Sequence, residues 1–194
     1  MEYPISETFY SIIGEGQHTG QAAFFIRLAG CNLNCDFCDT NYEEKYQATP
    51  EELYAEAKNY QSRIVVVTGG EPTIHSLRPI VDTFKREFRI HLETNGSLLP
   101  DTYDFDWIAT SPKSKVVFNC VLSSSQEVKF LCGFEGWREV LETLSPHCHG
   151  HLWLMPIAGG LTLNQKNIDL AVDYCLRYPK VKFCCQIHKV INVK

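Results

Sequence analysis

The chain has 194 residues, 44% of them apolar and 21% charged, which suits one globular domain, here 1–194, with a sizeable core. With 18 Lys and Arg against 23 Asp and Glu, the formal charge of −5 excludes a generally basic nucleic-acid binder. No apolar run approaches the roughly 20 residues of a membrane helix, and Met1-Glu2-Tyr3-Pro4 does not read as a signal peptide, so a cytoplasmic protein is expected.

Residues 21–28 read as a strand that runs into a cysteine-rich loop. Thr49-Pro50-Glu51-Glu52 carries the start of a helix: Thr as N-cap, Pro at the first position and Glu as the return of a capping box. The β-branched run 64–68 predicts a strand buried on both faces. Leu77, Ile80, Val81 and Phe84 recur at helical spacing, and 88–93 and 107–110 read as strands. Trp137, Val140, Leu141 and Leu144 predict another helix, then 151–156 a strand. Asn164 is placed to cap a helix through Ile168, Ala171, Val172 and Cys175, and 181–187 reads as a closing strand. Strand–helix alternation of this kind predicts an α/β fold with a parallel sheet. An eight-unit barrel takes about 250 residues, so an open or partial barrel is expected, with its chemistry at the carboxyl ends of the strands.

Nine cysteines are an odd number. Without an export signal, a cluster of cysteines points to metal or redox chemistry before disulfides. Cys120, Cys132, Cys148, Cys175, Cys184 and Cys185 are expected mostly to act as small buried apolar residues. Cys31, Cys35 and Cys38 are different. Their C-x3-C-x2-C spacing sits at the end of a predicted strand. Three thiolates can hold three irons of a cubane cluster and leave one iron open. The competing reading is a structural zinc site, which needs a fourth ligand from His147, Cys148, His149 or His151. If 147–151 is extended, His149 and His151 share a face and Cys148 points away, which favours an exposed lead-in to a strand.

The C-x3-C-x2-C spacing resembles that of the radical S-adenosylmethionine (SAM) enzymes. Thr68-Gly69-Gly70-Glu71-Pro72 agrees, being similar to that superfamily's GGEP turn. The resemblance implies an incomplete TIM-like barrel with a radical SAM core. It also implies a 4Fe-4S cluster on the three cysteines, whose open iron binds SAM, and a 5′-deoxyadenosyl radical formed by cleaving that cofactor. Glu71 would accept from the SAM ammonium, with Gly70 beside it.

The stretches 9–16, Thr19-Gly20, 25–31 and Cys38-Asp39-Thr40 resemble the 7-carboxy-7-deazaguanine synthase family of queuosine biosynthesis. So do Glu93-Thr94-Asn95-Gly96, Ser111-Pro112-Lys113 and Gln186-Ile187-His188-Lys189. The resemblance implies a carbon–nitrogen lyase that contracts 6-carboxy-5,6,7,8-tetrahydropterin to 7-carboxy-7-deazaguanine, loses ammonia, regenerates SAM and needs Mg2+. It implies a homodimer and an electron donor such as flavodoxin. Arg27 would clamp the substrate carboxylate; the alternative is an internal Glu partner for a guanidinium in an apolar strand. Ile12, Ile13 and Gly14 would meet the pterin edge, and Thr94 the substrate. Thr40 would bind Mg2+. Phe37, Asp39, Gly96, Ser111, Lys113, Met155 and Ala158 would line the cofactor, although Lys113 also reads as a solvated surface charge. Ile13 departs from the Gln of most relatives, which matters only if that side chain reads the pterin. The competing functions are a glycyl-radical activase acting on a protein partner and a zinc-dependent interaction module.

Overall fold

The structure, a computed structural model, describes residues 1–158 and 164–194. The chain divides into two compact units. The first is Met1–Ser11, Ala22–Thr94 and Leu98–Ile108; the second is Ile12–Gln21, Asn95–Ser97 and Ala109–Lys194.

In the first unit lie β1 (Tyr3–Ile12) up to Ser11, β2 (Ala22–Leu28), β3 (Tyr46–Ala48), β4 (Ile64–Gly69) and β5 (Arg89–Thr94), with helices α1 (Pro50–Ala57) and α2 (Arg78–Phe84). The strands run in the order β3-β1-β2-β4-β5. β4 pairs in parallel with β2, Leu28 opposite Gly69, and with β5, Val67 opposite Leu92. All three strands therefore end at one edge, where the predicted chemistry lies. β2 alternates cleanly. Phe24, Ile26 and Leu28 are fully buried in the core with Leu53, Ile80, Val81 and Phe84, which leaves Phe25 and Arg27 on the opposite face. α1 starts as the sequence predicts. The Thr49 side chain accepts from the Glu52 N–H, and Glu52 reaches back to the Thr49 N–H.

The second unit holds the end of β6 (Trp107–Thr110), then α3 (Asn119–Ser124), β7 (Glu127–Cys132), α4 (Trp137–Leu144), β8 (His151–Pro156), α5 (Gln165–Arg177), β9 (Val181–Phe183) and α6 (Ile187–Val190). β6, β7, β8 and β9 are neighbours in that order, and each pair is parallel. Its core joins Val128, Phe130 and Leu154 of the sheet to Val140, Leu141, Ala171 and Tyr174 of α4 and α5.

The closing strand is shorter than the reading of 181–187. Only Val181 of β9 is buried, and the ladder ends after the Cys184 N–H bonds to the Leu154 carbonyl. Beyond it the backbone turns to other partners and coils into α6. β1, β3, α3 and β7 lie outside the predicted elements. β7 is buried at all six positions, but its Glu127 and Lys129 conceal the apolar run in the sequence. Among the described residues no helix is long and apolar enough to cross a membrane.

Burial ranks two substitutions. Phe24→Ala removes a fully buried ring and is expected to cost about 3–5 kcal/mol of unfolding free energy. Thr49→Ala removes the cap alone and should cost about 1 kcal/mol. Urea unfolding of the two variants checks both values and their order.

Candidate active site

In the first unit, the structure joins the two motifs that the sequence holds forty residues apart. The Cys loop leaves β2 as the Gly70 turn leaves β4. The Glu71 N–H donates to the Gly30 carbonyl at 3.0 Å. A Cβ on Gly70 would stand 2.2 Å from that same oxygen and 2.7 Å from Cys31 Cβ, so only glycine allows this approach. Glu71 is buried, and its Oε1 accepts from the Thr73 N–H at 3.1 Å, the Thr73 hydroxyl at 2.6 Å and the Thr94 hydroxyl at 2.7 Å. Thr94, expected to meet substrate, here braces Glu71.

All nine cysteines are free thiols. Cys31 and Cys35 are partly buried and Cys38 is exposed. The Leu33 N–H points at Cys31 Sγ at 3.4 Å, and a turn bonds the Cys38 N–H to the Cys35 carbonyl. Burial pushes the Cys31 thiol up against that N–H, and the Glu71 and Cys38 charges push it further. Among the described residues no three His, Cys, Asp or Glu side chains converge as one metal ion demands. Three soft thiols on one loop, with an N–H already on the Cys31 sulfur, have the donor chemistry of a cubane cluster. Asp39 and Phe37 share this loop, and Thr40 lies two residues beyond Cys38, its carbonyl 3.9 Å from Cys38 Sγ. The zinc reading loses its cysteine. Cys148 is packed in the second unit's core, donates to the Leu144 carbonyl, and is pushed by burial to about 12. His149 and His151 are exposed, as a strand lead-in should be. Cys120 corrects the expectation for the remaining cysteines, because it is exposed on α3.

Arg27 has the internal Glu partner that a guanidinium in an apolar strand was expected to need. Its Nε donates to Glu7 Oε1 at 2.9 Å and its guanidinium lies over the Phe9 ring. Among the described residues its terminal nitrogens have no hydrogen bond, which leaves the edge that takes a carboxylate two-pronged.

In the second unit, Ile12–Gln21 carries the predicted pterin contacts. Both backbone groups of Ile13 are used: its N–H donates to Gln21 and its carbonyl accepts from Gly20, both at 2.8 Å. The buried Ile13 side chain therefore shapes the loop from inside. Gly14 lies under His188, whose Nδ1 would be 1.9 Å from an added Cβ, and the Gly14 carbonyl accepts from the Ile187 N–H. Sequence reasoning missed the next residue, Glu15. Lys129 donates to its Oε2 at 3.0 Å and Gln186 to its Oε1 at 2.8 Å. Burial alone would raise the Glu15 carboxyl, but the Lys129 charge, both hydrogen bonds and the His188 charge outweigh it and hold it at about 2. A signal was available for Lys129, since a charge inside an otherwise apolar strand needs a partner, but not for Glu15.

The Ser111 hydroxyl donates to the Lys129 carbonyl, and Lys113 Nζ donates to Ser111 Oγ at 2.8 Å. Lys113 is thus half-buried and anchored, not a solvated surface charge. Gly96, at φ +77°, packs against Thr110 and Val117. Met155 is buried at the end of β8, and Ala158 is partly buried just beyond it.

A three-thiol loop stapled to a Gly-Gly-Glu-Pro turn at parallel strand ends defines a radical SAM protein, and residues 25–145 match the model of the Radical SAM superfamily. A synthase from Bacteroides thetaiotaomicron named for 7-carboxy-7-deazaguanine is 36% identical over 192 residues, 98% of each chain. Its Synechocystis namesake is 35% identical over all of this chain and 95% of its own. The crystal structure of QueE from Escherichia coli superposes with a TM-score of 0.81 at 30% identity, over 96% of this chain and 95% of that one. SuiB of Streptococcus suis, at 14% identity and a TM-score of 0.53 over 80% of this chain, shares the fold alone. The chain belongs to the 7-carboxy-7-deazaguanine synthase family. Its fold is the incomplete TIM-like barrel with parallel strands of the radical SAM core.

The Glu15 carboxyl is 4.5 unfolded and about 2 folded, so its contribution to stability is full above about pH 4.5 and lost as pH falls toward 2. Glu15→Gln should remove that part of the acid dependence, read from unfolding free energies across pH 2–6.

Proposed function

We propose that this chain, as one radical SAM domain, converts 6-carboxy-5,6,7,8-tetrahydropterin to 7-carboxy-7-deazaguanine with loss of ammonia. The observation that carries the reading is the Glu71–Gly30 staple between the Cys loop and the Glu71 turn, in a chain that matches synthases of that name almost end to end. Cys31, Cys35 and Cys38 would hold the 4Fe-4S cluster, which with bound SAM supplies a 5′-deoxyadenosyl radical.

The chain's own residues bind and orient. Glu71, fixed by Thr73 and Thr94, presents a carboxylate for the SAM ammonium. Gly70 precedes it in the chain, and the backbone of Phe37 and Asp39, on either side of Cys38, would flank the adenine and the cluster. Gly96, Ser111, Lys113, Met155 and Ala158 would contact the cofactor. Arg27 takes the pterin carboxylate on its open edge, while Glu7 holds the Nε. Ile12, Ile13 and Gly14 form the loop at the pterin edge, and the ionised Glu15 can accept from the adjacent N–H donors of a pterin's aminopyrimidinone ring. The Thr40 hydroxyl is a hard ligand suited to Mg2+ beside substrate oxygens. The reading includes a homodimer and an electron donor such as flavodoxin.

The test is anaerobic. Reconstituted protein is given reductant, SAM, Mg2+ and the carboxytetrahydropterin, and products are followed by mass. 7-Carboxy-7-deazaguanine formed without matching loss of SAM is the expected result; 5′-deoxyadenosine with no deazaguanine would sink the substrate. Cys35→Ala should lose cluster and turnover together. Arg27→Ala should keep the cluster and weaken substrate binding by about 2–5 kcal/mol.

A further inference from the structure

β7 is apolar except for Glu127 and Lys129, and both are 2% exposed. Being two apart on a strand, they share a face, and both reach residues 15–17. Lys129 Nζ is 3.0 Å from Glu15 Oε2. Glu127 Oε2 accepts the Gln17 N–H at 2.8 Å. The Glu127 carboxylate also occupies the place a Cβ on Gly16 would need, its oxygens 2.4 and 2.5 Å from that position. Apolar residues would pack here without the cost of burying two charges, and a buried charge that loses its partner is strongly destabilised. The charges therefore hold something that packing alone would leave free to shift. The held segment follows Gly14 directly.

We propose that Lys129 and Glu127 are positioning residues that fix residues 15–17 on β7, so that Lys129, acting through Glu15, sets where the substrate's pterin edge is read. Opposite signs grip opposite groups: the ammonium takes the Glu15 side chain, and the carboxylate takes a backbone N–H. The loop cannot slide without breaking both. Glu15 is faced by Lys129, Gln186 and His188, with Cys184 nearby. This proposal rests on the pterin reading above.

The experiment compares Lys129→Met, Glu15→Gln and the double variant with the intact enzyme. Each is measured for cluster content, for the dissociation constant of 6-carboxytetrahydropterin by equilibrium dialysis, and for KM and kcat between pH 6 and 8. Lys129→Met should retain the cluster, bind the pterin at least about tenfold more weakly, and lose more as pH falls, because a buried Glu15 without its cation gains a proton. Glu15→Gln should show a similar loss with no such pH dependence, and the double variant should be no worse than either single one. Folded Lys129→Met that binds like the intact enzyme, or losses that add in the double variant, would overturn the proposal alone. If Lys129→Met does not fold, Glu15→Gln carries the test, and undiminished pterin binding there overturns it. Failure of the intact enzyme to bind or convert the pterin would overturn the functional reading and this proposal with it.

Discussion

The hydrogen bond from the Glu71 N–H to the Gly30 carbonyl ties the chemistry of the first unit together. It exists because β2 and β4 are parallel and in register, so that both chains leave the sheet at neighbouring points. Gly70 has no side chain to keep them apart. The thiol loop and the carboxylate that would meet the cofactor's ammonium are thereby set relative to one another by backbone, which moves less than any side chain. The two threonines on Glu71 then fix the direction of its carboxylate.

The charged residues within the sheets follow one rule. Arg27, Glu71, Glu127 and Lys129 each lie in or beside apolar strands, and each has a close partner of suitable chemistry: Glu7, two threonines, a backbone N–H and Glu15. Burial makes an unpaired charge costly, so such partners leave one orientation far below the others. Rigidity is what this arrangement gives, at the expense of stability that apolar residues would have supplied.

Much of the first unit was legible in the sequence. The capping box at Thr49 and the β-branched β4 are local signals that fold as they read, and the C-x3-C-x2-C loop stands at the end of β2, where the sequence puts it. Arg27 was found because a lone charge in an apolar strand demands an anion. The same reasoning would have found Lys129, but β7 was not recognised as a strand, and its two charges broke the apolar run that would have marked it. Glu15 was hidden for a different reason. Its partners lie 114 and 171 residues away, and no local pattern encodes a pairing at that distance. β9 was overextended because Cys184, Gln186 and Ile187 look strand-like, while their groups are bound to residues 14–16.

That last connection sets an order of events during synthesis. The Cys loop has its backbone partner at Glu71, and Glu71 has its own at Thr73 and Thr94, so half the chain suffices to shape it. Residues 14–16 emerge from the ribosome far earlier than the Cys184, Gln186, Ile187 and His188 that cover and bond them. Chains assemble from the amino end as they are made, but this loop must wait for a partner 171 residues further along. A ribosome stalled after β5 would carry the partners of the thiol loop, while residues 14–16, although made first, would still lack their final shape.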